Sequence, residues 1–117
     1  MKNDPASSEV TPRQSRSNVV PLKGEIDLHV SPTVTATLND VIDKKPERLV
    51  VDLSEVSYID SAGLAALIQA MQKVEAYGGK FLLAGLQETV RSIFEISRLD
   101  QVFQIFPDTE AALAASE

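Results

Sequence analysis

The stretch Asp52-Leu53-Ser54-Glu55-Val56-Ser57-Tyr58-Ile59-Asp60-Ser61-Ala62-Gly63-Leu64 decides how this chain is read. It grows out of Arg48 to Leu53, where the continuous apolar run Leu49-Val50-Val51 suits a strand covered on both faces, as in a parallel sheet. On its far side a helix is expected from Ser61 to about Tyr77. Leu64, Leu67, Ile68, Met71 and Val74 form its apolar stripe, and Ala62, Ala65, Ala66 and Ala70 give it smooth flanks that can pack closely. Gly78-Gly79 supplies the C-terminal cap. Between strand and helix the sequence predicts a polar turn that delivers Asp60-Ser61 to a helix start. Free N–H groups and the positive dipole end at such a start suit a side-chain oxygen or a phosphate. Gly63 is expected to leave the first turn bare, so that another protein can approach Ser61.

The same alternation extends in both directions. Upstream, Val19, Val20 and Leu22 predict a short strand ending at Lys23-Gly24, with Pro21 marking an edge or a local irregularity because it lacks an N–H. Ser31-Pro32 reads as N-cap and first helical position. Val34, Leu38, Val41 and Ile42 follow on one face of a helix, Lys44 and Lys45 sit at its C-terminal end, and Pro46 stops it. Downstream, Phe81 to Ala84 predicts a buried strand, and Val90, Ile93 and Phe94 a third helix. Val102 to Phe106 predicts a further strand, and Pro107-Asp108 the start of a last short helix through Ala111, Leu113 and Ala114. The order β-α-β-α-β-α-β-α specifies an α/β sandwich: a mainly parallel central sheet of four to five strands with about four helices.

Composition narrows the function. A chain of 117 residues is one domain and can bury a core without staples. Its formal charge of −6, with no basic run, speaks against nucleic acid. It has no Cys and one His, His29, which removes disulfides, zinc-thiolate sites, thiol catalysis and a multi-His metal site within one chain. No metal, cofactor or small-molecule substrate is expected. No apolar stretch is long enough for a membrane span and no signal peptide is read, so a soluble cytoplasmic protein is expected. Residues 1–17, polar and carrying two prolines and four serines, read as a mobile N-terminal tail, with a short edge strand around Val10 as the alternative; residues 18–117 form the domain.

The run VVDLSEVSYIDSAGLAAL resembles the signature of STAS domains, the family of sulfate transporter and anti-sigma factor antagonist domains. Gly24-Glu25-Ile26-Asp27 resembles the family's turn before its first helix, and GGKFLLAGL with Val90-Arg91-Ser92-Ile93-Phe94 its later strand and helix. The length is similar to that of the bacterial anti-sigma factor antagonists. The resemblance implies a STAS-like fold and a phosphorylation-gated protein-binding switch in signal transduction and transcription regulation. The serine after the aspartate of D-S-A-G, here Ser61, would be phosphorylated by an anti-sigma factor that is also a serine kinase. Unphosphorylated, the protein would bind that kinase and free the sigma factor, and a serine phosphatase would reset it. Asp27 and Asp60 fall on acidic positions near the partner surface, with Ala62, Gly63 and Leu64 beside them. Arg98, in Ser97-Arg98-Leu99, stands where many relatives carry glycine.

Other readings stay open at this point. Ser61 is also a good helix N-cap. Asp27 and Asp60 equally suit turns that bond their own backbone. Asp27, His29 and Ser61 are the residue types of a hydrolase triad, but D-S-A-G is not a nucleophile elbow and no oxyanion loop accompanies it, so no enzyme activity is expected. A non-switching STAS adaptor in a stress-signalling or lipid-transport complex, or a small-ligand sensor, are the alternatives to the switch.

Overall fold

The computed structural model describes residues 16–115. The tail expected over residues 1–15 and the alternative edge strand around Val10 lie outside the described residues. Within them the chain runs β1 (Ser17–Ile26), α1 (Ser31–Ile42), β2 (Arg48–Ile59), α2 (Ser61–Ala76), β3 (Lys80–Ala84), α3 (Glu88–Ile96), a 3-10 turn (Leu99–Gln101), β4 (Gln104–Phe106) and α4 (Thr109–Ala115). The strands form one sheet in the order β1-β2-β3-β4, with every pairing parallel. This is the expected α/β architecture.

The apolar run of β2 is buried on both sides, as its lack of alternation required. Leu49 and Val51 face a large core with Leu38 of α1, Leu67 and Val74 of α2, and Phe94 of α3. Val50 faces the opposite side, where it joins Leu82, Ala84 and Ala112 beneath α4. Phe103 closes the large core against Phe81 and Phe94, with ring centroids 6.0 and 5.6 Å apart.

Four local expectations are corrected. The segment after Leu53 is not a turn: β2 continues to Ile59, with Val56 and Ile59 buried and Ser54, Glu55, Ser57 and Tyr58 exposed. The C-terminal strand is confined to Gln104–Phe106, because Arg98 takes a left-handed φ of 64° and a 3-10 turn follows it, leaving Val102 exposed. Helix α1 ends at Ile42, so Lys44 and Lys45 lie in the turn beyond it. Ser31 does not cap α1: Val30 holds the cap position, and the Ser31 hydroxyl donates to the Leu28 carbonyl at 3.4 Å. The left-handed Arg98 preserves the backbone path that a glycine would provide, at a cost of about 1–2 kcal/mol.

Two register shifts in the β1–β2 ladder position the site. They fall between Pro21 and Lys23 and between Gly24 and Glu25. Gly24, at φ +83°, supplies a positive φ where the second shift occurs. The shifts absorb the greater length of β2, and both strands finish level with Ile26 opposite Ile59. The next residues, Asp27 and Asp60, therefore leave the sheet side by side.

Candidate functional site

The β1–α1 and β2–α2 connections meet at the C-terminal end of adjacent parallel strands, the end at which α/β sheets carry their functional loops. The two connections are tied together. The Asp60 amide donates to the Ile26 carbonyl at 3.1 Å. The half-buried Asp60 carboxylate then bridges both loops: Oδ1 accepts from the Gly63 N–H at 3.0 Å and Oδ2 from the Leu28 N–H at 3.1 Å. Asp60, not Ser61, is thus the N-cap of α2, and its extended backbone suits that role. Asp27 works in the same manner within its own turn, where its Oδ1 accepts from the N–H groups of His29 and Val30 at 3.0 and 3.1 Å.

With the cap supplied by Asp60, Ser61 occupies the first helical position, exposed, and its hydroxyl makes no hydrogen bond among the described residues. Ala62 and Leu64 are half-buried, and Leu64 leans on the core. Gly63 has a different role from the one its sequence position suggested. It is buried, and a Cβ there would lie 2.6 Å from Ile59 Cγ1 and 2.8 Å from the Ile26 carbonyl oxygen. Its missing side chain lets the first turn of α2 press onto the ends of β1 and β2, not onto a visitor.

The structure adds residues that the sequence did not single out. Leu28 is 69 % exposed and Val30 37 % exposed, both on the loop that Asp60 holds. An isolated leucine in a polar turn carries no sequence signal; only its placement beside Ser61 gives it meaning. A cavity of about 420 Å³ lies between the helices, lined by Pro32 and Thr35 of α1 and Ala62, Ala65 and Gln69 of α2. The small side chains on α2, read as packing flanks, here leave a groove next to Ser61.

The triad types do not assemble. Asp27 accepts from the backbone N–H of His29, and no hydrogen bond joins the His29 ring to either Asp27 or Ser61. Among the described residues no group of three or more His, Cys, Asp or Glu is placed to hold a metal ion. No helix among them is long and apolar enough to cross a membrane.

A parallel β1–β2 pair carrying D-S-A-G at the start of α2 has clear relatives. Residues 9–112 match the STAS domain. The chain belongs to the STAS family. It is 31% identical over 99 residues to the anti-sigma-B factor antagonist of Listeria monocytogenes, covering 85% of this chain and 87% of that one. An anti-sigma factor antagonist from Mycobacterium paratuberculosis, known from its crystal structure, superposes with a TM-score of 0.76 at 31% identity, covering 83% of this chain and 82% of that one. The anti-sigma factor antagonist SpoIIAA in its unphosphorylated form superposes with a TM-score of 0.69 at 26% identity, covering 83% of this chain and 86% of that one. These three relatives of the STAS domain are all anti-sigma factor antagonists by name.

Proposed function

We propose that this STAS domain is a cytoplasmic anti-sigma factor antagonist without catalytic activity of its own, gated by phosphorylation at Ser61. The observation that carries the reading is the state of Ser61: exposed, free of capping duty, and at the head of α2 beside exposed Leu28 and a groove of small side chains. A hydroxyl so presented is accessible to a kinase. The names of its relatives point to the partner, an anti-sigma factor, and the resemblance of D-S-A-G adds that this partner is a serine kinase.

In the unphosphorylated state Leu28, Val30 and the α1–α2 groove supply the apolar centre of the docking surface, with Asp27, Asp60, Ala62, Gly63 and Leu64 shaping it. Asp27 and Asp60 act chiefly by fixing the two loops, since their carboxylates already bond the backbone. Phosphorylation adds about −1.5 to −2 charge at neutral pH. At the first position of a helix the dipole tolerates an anion, so the fold survives. The partner, which has to desolvate that charge beside the Asp60 carboxylate, is expelled. A serine phosphatase restores the binding state.

The test is a competition. The protein is added to a preformed complex of a sigma factor with its anti-sigma kinase, and free sigma factor is measured by size-exclusion chromatography. Release of the sigma factor by wild type, and its failure after phosphorylation, is expected. Binding without release would favour an adaptor, and no binding would remove the proposal.

A further inference from the structure

The α4 face of the sheet carries a feature that the switch does not use. Asp52 stands two residues beyond Val50 and so on the same face of β2. There the first register shift opens the β1–β2 ladder. Pro21 pairs with Asp52 and Lys23 with Glu55, so Leu22 alone stands opposite Leu53 and Ser54. The extra residue in β2 makes a bulge, a device that re-aims side chains and recurs beside functional sites. It borders a cavity of about 270 Å³, lined by Pro21, Leu22, Lys23, Asp52, Ser54 and Glu55. That volume is just below the usual range for drug-sized ligands and suits a molecule of amino-acid size.

The walls are held in place. Asp52 is half-buried, and its Oδ1 accepts from the Ser54 N–H at 2.9 Å. The Ser54 carbonyl accepts from the Gln87 side-chain amide at 2.8 Å, which ties β2 to the head of α3. Gly85 packs close behind, where an added Cβ would lie 3.1 Å from Ser54 Cβ. Into this frame the cavity brings one cation and two anions. The Lys23 ammonium makes no hydrogen bond or ion pair among the described residues, although Glu55 is its partner across the ladder. The Glu55 carboxylate likewise makes none, and none reaches Oδ2 of Asp52. Opposite charges thus line one small space without joining. An exposed pair of this kind is worth only about 0–1 kcal/mol when it closes, so little is lost when a ligand comes between its members.

We propose that this cavity is a binding site for a basic α-amino acid. Ligand and site match charge for charge: the ligand carboxylate pairs with Lys23, its α-ammonium with Asp52 and its side-chain cation with Glu55. One cation against two anions leaves the site negative, which selects a ligand of net positive charge. The site lies on the face of the sheet away from α2, and it does not rest on the Ser61 switch.

Calorimetric titration of the full chain with free L-lysine, L-alanine and cadaverine tests this. L-Alanine lacks the second cation and cadaverine lacks the carboxylate. Saturable binding of L-lysine with a Kd of about 1 mM or tighter is expected, weakening as salt rises, with both other compounds at least about three-fold weaker. Lys23→Gln and Glu55→Gln should each weaken L-lysine about two- to five-fold, and the double variant Asp52→Asn with Glu55→Gln at least about five-fold, at unchanged circular dichroism. Lys23 and Glu55 are exposed, so their single variants keep the test valid even if the double variant fails to fold. Lys80→Gln, at the N-terminal end of β3 and outside the cavity, should bind as wild type does. No saturable binding of L-lysine at about 10 mM, equal binding of L-alanine or cadaverine, or unchanged affinity in Lys23→Gln and Glu55→Gln would overturn the proposal. Both single variants should still bind the anti-sigma partner, so failure here leaves the Ser61 switch to stand or fall separately.

Discussion

The Leu28 amide donates to Oδ2 of Asp60 at 3.1 Å, while Oδ1 of the same carboxylate caps α2 through Gly63. One side chain thereby fixes the loop that displays Leu28 and the helix start that displays Ser61. Asp60→Ala removes a cap, worth about 0.5–2 kcal/mol, and a loop tie, worth about 0.5–1.5 kcal/mol. Urea denaturation should give a loss of about 1–3.5 kcal/mol in all. Asp60→Asn should recover the cap alone, because its amide nitrogen cannot accept from Leu28. Wild-type stability in Asp60→Ala would refute the bridging role.

Gly63→Ala sets two effects against each other. Alanine improves helix propensity by about 0.8–1 kcal/mol. Its Cβ, however, would meet the Ile26 carbonyl oxygen at 2.8 Å, and backbone cannot move aside as a flexible side chain can. Overpacking of this kind costs about 1–3 kcal/mol and should win. A lower melting temperature is expected; a higher one would show that the first turn of α2 has room to spare.

Arg98→Gly should stabilise the protein by about 0.5–1 kcal/mol. The gain is the relief of the left-handed arginine, reduced by the greater freedom of glycine in the unfolded chain. Destabilisation in urea would mean that the arginine side chain offsets its backbone strain.

Leu28→Ser separates docking from folding. Leu28 is 69 % exposed, so stability should change by less than about 0.5 kcal/mol. Binding to the anti-sigma factor should fall at least about ten-fold if Leu28 sits at the apolar centre of the interface. Unchanged affinity in calorimetry would move the interface away from this loop.

Much of this was legible in the sequence. Leu49-Val50-Val51 announced a two-sided sheet, and the helical stripes of α1 and α2 follow from spacing alone. The end of β2 was hidden because Ser54, Glu55 and Ser57 imitate a turn; they are the exposed positions of an irregular strand, and the register shifts that accommodate them leave no periodicity to read. Which of Asp60 and Ser61 caps α2 was also hidden, since both are favoured cap residues and only backbone geometry separates them. Gly63 looked like a surface glycine because its inward direction depends on where the helix starts. The pairing of Asp60 with Leu28 is a contact between two loops, and no local pattern encodes it.

In the proposed switch, charge at Ser61 controls docking. The protein is incubated with its anti-sigma kinase and ATP, the modified residue is mapped by mass spectrometry, and affinity for the kinase is measured by calorimetry before and after. Phosphate on Ser61, a drop in affinity of at least about ten-fold, and an unchanged circular dichroism spectrum are predicted, with Ser61→Ala binding like the unmodified protein and Ser61→Asp more weakly. Phosphate on Ser54 or Ser57 with Ser61 untouched, or phosphorylated Ser61 that binds as tightly as before, would contradict it.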